Sequence, residues 1–159
     1  MKKTFAATLI AASALADASD HWAIIVAGSN GFWNYRHQAD AHHAWEVVTK
    51  NGIPKENVIL FAYDDIANNS MNPILGSIFN KTNGNNVYNS EAIDYRGDAV
   101  TPENFLKVLT GDSTTGGNGK VLKSTSASKV FVFFTDHGAP GLIAFPSAYL
   151  YADQLNEAV

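Results

Sequence analysis

The chain has 159 residues, 46% of them hydrophobic and 16% charged, with a net charge of −4 and no cysteine. That is enough for one domain with a real core, and it is the composition neither of a disordered chain nor of a basic protein built for nucleic acid or an anionic membrane. Without cysteine, these residues hold no disulfide and no thiol nucleophile.

From the amino terminus, Lys2 and Lys3 precede an apolar, small-residue run over 4–16, too short to span a bilayer as a mature helix. Ala14-Leu15-Ala16 has the form of a cleavage site, so residues 1–18 are expected to be a secretory signal peptide. Residues 19–159 are then the mature chain. Sequons at Asn68 and Asn80 are glycosylation candidates on the same route.

HWAIIVAGSNG (21–31) reads as a buried strand running into a polar loop, its continuous apolar character suiting a parallel strand covered on both faces. ADAHHAWEVVTKNG (39–52) reads as a helix with Ala41, Ala44, Trp45 and Val48 on one stripe, stopped by Asn51-Gly52 and Pro54. NVILFAYDD (57–65) is a second buried strand. The Asn-, Gly- and Ser-rich residues 66–99 read as a long excursion with at most a short hairpin. TPENFLKVLTG (101–111) is a helix capped by Thr101, with Pro102 in its first turn, Phe105, Leu106 and Leu109 inward and Gly111 at its end. KVFVFFTDHG (129–138) is the third strand, read as buried, and Asp153 is placed to cap a last short helix. Strand, helix, strand, helix, strand predicts an α/β fold with a mostly parallel sheet. A helix begun so near Val159 suggests an amino-terminal part of a longer protein.

Sites in such sheets form beyond the carboxyl ends of the strands. His137 sits there as a candidate base, and the Gly138 N–H can face a developing oxyanion; the plainer alternative is a histidine that only hydrogen-bonds at a strand end. Ser29, Asn30, Asn34, Arg36 and His37 share that edge. Arg36 suits carboxylate or carboxamide recognition or is a surface arginine. Asn34 can fix a histidine tautomer or merely shape a turn. Gly28-Ser29-Asn30-Gly31 lacks the glycine spacing of a nucleophile elbow or dinucleotide loop, and GGNGKV (116–121) lacks the Ser/Thr of a phosphate loop. His37, His42 and His43 lack metal-site spacing and are expected on the helix surface, so neither metal nor cofactor is expected. Asp64 and Asp65 read as caps or loop charges, and Arg96-Gly97-Asp98 as a chance tripeptide.

WAIIVAGSNGFWNYRHQADAHHAW, NGIPKENVILFAYDDIANN, DYRGDAVTPENFLKVLTGD and FTDHGAPGLIAFP together resemble the legumain family of cysteine peptidases, the asparaginyl endopeptidases, over about 22–159. The resemblance implies a caspase-like three-layer fold and a Cys–His dyad that cleaves after Asn, and after Asp at lower pH. It places His137 as the catalytic histidine, Asn34 as its support and Gly138 in the oxyanion hole. Arg36 and His37 fall in the pocket for the substrate Asn, and Asp136 at an aspartate that some members convert to a succinimide. His42 stands where many members carry Cys. The family's nucleophile follows the next strand, beyond Val159, so these residues alone are expected to be inactive. Implied partners are peptide or protein substrates with Asn at the cleavage site, for a zymogen of a lysosomal, vacuolar or extracellular compartment. A family member lacking the nucleophile and acting as a binding protein, or a GPI-transamidase-like enzyme, are the alternatives.

Overall fold

In the computed structural model, residues 20–159 are described. The expected signal peptide, residues 1–18, lies outside the described residues.

Three parallel strands make the central sheet: β1 (His21–Ala27), β2 (Val58–Phe61) and β3 (Lys129–Thr135), in the order β2-β1-β3. Two helices cross between them, α1 (Tyr35–Lys50) and α2 (Pro102–Thr110). Side chains alternate along a strand, and here that alternation divides the core in two. Trp22, Ile24 and Val26 of β1 join Ile59, Phe61 and, from α2, Phe105 and Val108. Ala23, Ile25 and Ala27 point the other way, joining Val58, Leu60 and, from α1, Ala41 and Val48. Helices therefore cover both faces, as the caspase-like three-layer fold requires. Each fully buried Ile, Leu or Phe contributes roughly 1.5–3 kcal/mol to that packing.

Local signals explain both helices. Thr101 Oγ1 accepts the N–H of Asn104 at 3.2 Å, Pro102 opens α2, and Gly111 closes it in the left-handed region at φ 74°. Helix α1 begins at Tyr35, four residues before the expected start, and buries more than its apolar stripe: His37, Gln38 and His42 are buried beside Ala41 and Val48. Of the three histidines expected on its surface, only His43 is exposed.

The excursion between β2 and α2 is ordered by its own small core of Ile66, Ala67, Ile78 and Val87 against Ala39 of α1. The buried Asn72 amide donates to the carbonyls of Ile66, Ala67 and Ser77 at 3.1, 3.1 and 2.9 Å. One antiparallel bridge, Phe79 to Asn86, stands where a short hairpin was read. Asp64 binds Arg96 at 2.6 Å and the Tyr88 hydroxyl at 2.8 Å, so it is a tie between loops rather than a cap. Arg96 is exposed but is also bound to the Ser90 carbonyl at 2.7 Å, so it serves as a tie between loops.

Two features depart from the sequence reading. Strand β3 is an edge strand: Val130, Phe131 and Val132 are 41, 48 and 44% exposed. A continuous apolar run reports that both faces want cover, and among the described residues that cover is incomplete. After β3 comes an unforeseen antiparallel sheet of β4 (Gly138–Ala139), β5 (Leu142–Ala144) and β6 (Tyr149–Tyr151), leading into α3 (Ala152–Ala158). Asp153 lies inside α3 and does not cap it; the Gln154 side chain instead accepts the Tyr151 N–H at 3.0 Å.

Candidate active site

Strands β1 and β3 end side by side, with Ala27 paired to Thr135 and the Gly28 N–H donating to the Thr135 carbonyl at 3.1 Å. The loops that leave them, 28–34 and 136–138, therefore meet at the carboxyl edge of the sheet. His137, Asn34, His37 and Asp136, far apart in sequence, come together there.

Asn34 occupies the N-cap position of α1 but makes no capping bond. Its Nδ2 donates to the Asn30 carbonyl at 2.9 Å, which turns Oδ1 toward His137 Nε2 at 3.0 Å. An amide oxygen only accepts, so in the neutral imidazole Nε2 carries the proton and Nδ1 holds the lone pair. The His137 side chain is exposed, so Nδ1 is open to a reactant. The Asn34 side chain thus joins its own turn, through Asn30, to the His137 ring.

Behind His137 lies a buried polar pair. His37 is 4% exposed and meets the His137 ring edge-on at 5.2 Å between centroids. Its Nδ1 shares a 2.7 Å hydrogen bond with the Ser29 hydroxyl. The same nitrogen lies 3.2 Å from Asp136 Oδ1, but out of hydrogen-bond alignment, since that buried oxygen has no hydrogen-bond partner. Burial holds the His37 pKa below its ordinary value, helped by the nearby Arg36 charge and opposed by Asp136. Burial also raises Asp136, against the His137 backbone N–H and the His37 charge. Both groups are pushed toward neutrality, so the contact is a polar one rather than a strong ion pair.

Arg36 is exposed and, among the described residues, reaches only the Trp33 carbonyl, at a long 3.4 Å, which leaves most of its donors available at the rim. Gly138 is exposed and opens β4; a Cβ there would stand 3.2 Å from the Leu142 carbonyl. Of the two sequons, Asn68 is exposed, whereas Asn80 is half-buried and its Nδ2 donates to Asp40 at 2.6 Å.

Three supporting roles escaped the sequence reading. Ser29 is buried and spent on His37. Asp65, taken for a loop charge, accepts the Gly31 N–H at 2.6 Å and the Gln38 amide at 2.7 Å, bracing the loop that carries Asn34. Gln38 returns a bond from its carbonyl to the Asp64 N–H at 3.1 Å. Only the burial of Gln38 on a helix otherwise reading polar there could have signalled this brace. Gly28 completes the packing: an added Cβ would lie 2.6 Å from the Ala144 carbonyl, 2.8 Å from Asp136 Oδ2 and 2.9 Å from Phe134. Gly28→Ala is expected to lower the unfolding free energy by about 1–3 kcal/mol. An unchanged denaturant midpoint would show that the strand ends have room to spare.

Chemically, the cluster offers one accessible imidazole nitrogen of defined tautomer, backed by buried polar groups and flanked by a guanidinium. The described residues are an α/β fold of the caspase-like type with a histidine-centred cluster at the carboxyl edge of its parallel sheet. The model of the peptidase C13 family matches residues 21–159. The chain belongs to that family. It is 53% identical to a legumain of Rattus norvegicus over 146 residues, covering 90% of this chain and 34% of the relative. It is 54% identical to a hemoglobinase of Schistosoma mansoni over 136 residues, covering 86% of this chain and 31% of the relative. A vacuolar-processing enzyme of Citrus sinensis is 50% identical over 137 residues, with 84% of this chain and 28% of the relative covered. The chain thus spans about a third of the length of these curated relatives. Among the described residues, no helix is long and apolar enough to cross a membrane.

Proposed function

We propose that residues 19–159 supply the base, its support and part of the substrate pocket of a cysteine endopeptidase that cleaves after Asn, and after Asp at lower pH. The observation that carries this reading is the bond from His137 Nε2 to Asn34, which leaves Nδ1 as an accessible base at the sheet edge. The chain contains no cysteine, so the thiol comes from elsewhere in the full-length protein.

In this reading His137 Nδ1 takes the thiol proton, and the thiolate attacks the scissile carbonyl carbon. The Gly138 N–H faces the resulting oxyanion. The imidazolium then passes its proton to the departing amine, and water later releases the acyl group. Asn34 keeps the ring from rotating away between these steps. Arg36 donates to the side-chain carboxamide oxygen of the substrate Asn, with His37 lining the same pocket. A pocket built from paired donors and acceptors rejects an apolar residue because its own buried groups would be left unpaired. The likeness to legumain and to a vacuolar-processing enzyme supports protein substrates and a lysosomal or vacuolar compartment.

Peptide substrates that differ only in Asn, Asp or Ala before the scissile bond test this in the full-length protein. Asn is expected to be preferred over Ala, and Arg36→Ala to shrink the Asn/Ala ratio of kcat/KM by about 10-fold or more, the value of a lost charged hydrogen bond. No preference for Asn in the unaltered protein would overturn the specificity. An unchanged ratio in the variant would remove Arg36 from the pocket.

A further inference from the structure

We propose that His37, Asp136 and His137 form a binding site for a first-row transition-metal ion such as zinc, and that the ion competes with the peptidase reaction for one imidazole nitrogen. The three side chains each place a ligand atom within 4.8 Å of the other two. His37 Nδ1 and Asp136 Oδ1 already stand 3.2 Å apart. Two ligands of a tetrahedral zinc ion, with bonds of about 2.0–2.1 Å, are separated by about 3.3 Å. Asp136 Oδ1 is buried and has no hydrogen-bond partner among the described residues, a state that carries a cost unless something fills it, and a cation would.

The third ligand is prepared by Asn34. Because that amide holds Nε2–H, the lone pair of His137 sits on Nδ1, and a hydrogen bond at the other ring nitrogen fixes the tautomer of metal-binding histidines in the same way. His137 is exposed, and a ring nitrogen of it lies within 4.8 Å of the other two ligand atoms while Asn34 holds the ring in place. Ligation at His37 Nδ1 would displace its bond to Ser29. Two imidazoles and one carboxylate favour zinc over calcium or magnesium, which prefer all-oxygen shells. Three protein ligands leave a fourth position to water.

The competition, though not the metal site, rests on the peptidase reading: a nitrogen ligated to zinc cannot accept the thiol proton. The test is calorimetric titration of zinc chloride into the full-length protein at fixed neutral pH. One saturable site is expected, weakened at least 10-fold by His37→Ala, by Asp136→Asn and by His137→Ala. The last change is at an exposed position and tests the site even if the buried variants fail to fold. Cobalt in place of zinc should give ligand-field bands without a thiolate charge-transfer band. Equal zinc affinity in the unaltered protein and His137→Ala, or a thiolate band, would put the ion elsewhere and overturn the site. Zinc is further expected to inhibit cleavage over the concentration range in which it binds, while calcium does not. Binding without inhibition of an active enzyme would overturn the competition. Absence of any peptidase activity would instead strike the functional reading, while calorimetry still decides the metal site.

Discussion

Replacing His137 with alanine in the full-length protein is expected to cut kcat for Asn-directed cleavage by about 10³-fold or more. General acid–base catalysis is worth roughly 10²–10⁴-fold, and in the proposed reaction one imidazole acts twice, on the thiol and on the leaving amine. The His137 side chain is exposed, so its removal leaves no core cavity, and the protein should melt as before. KM should change little, because in the proposed reaction the ring serves the reacting atoms rather than the substrate side chain. Cleavage retained at the original rate in His137→Ala would remove the base assignment outright.

The second large effect is on stability in acid and centres on His42. Its side chain is 1% exposed, both ring nitrogens lack hydrogen-bond partners, and its ring packs edge-on against Tyr88 at 5.3 Å. Burial pulls its pKa down from 6.5 to about 4. The unfolded chain therefore binds a proton at a pH where the folded one does not. Stability from this residue is complete above 6.5 and falls as the pH drops toward 4. The interval between 6.5 and about 4 corresponds to a loss of about 3 kcal/mol. His42→Leu should flatten the decline in stability across that interval, and should also stabilise the fold at neutral pH by relieving two unpaired polar atoms. The check is a series of denaturant titrations from pH 7 to 4 on both proteins. Parallel curves would mean that other groups carry the acid sensitivity.

His42 also marks where the sequence was hard to read. Periodicity assigned the apolar stripe of α1 to the core and left His42 on the surface, and Gln38 fell before the expected start of the helix. Both are buried, because the long excursion after β2 folds back over that side of the helix. Nothing local to α1 announces a cover that arrives some forty residues later. The three parallel strands and the caps of α2 were legible, since continuous β-branched runs and Thr-Pro/Gly punctuation act locally. The short strands after His137 were not: two or three residues are too few for alternation to register. Within the site, strand-end logic located His137, Asn34 and the start of α1 that carries Arg36. It missed the brace from Asp65, whose partners lie 34 and 27 residues away. Its carboxylate serves a backbone N–H and an amide, a use that sequence pattern does not encode.

The exposed flank of β3 has a consequence for motion. In a parallel strand alternate residues direct their backbone groups to opposite sides, so one set of β3 amides is locked to β1 while the other, among the described residues, faces outward. Amide hydrogen exchange along Lys129–Thr135 should therefore alternate between slow and fast, whereas β1, paired on both sides, exchanges slowly throughout. His137 hangs from the end of that half-anchored strand. Whatever segment pairs with the outer amides will slow their exchange, and in doing so will narrow the thermal wander of the imidazole two residues beyond the strand's end.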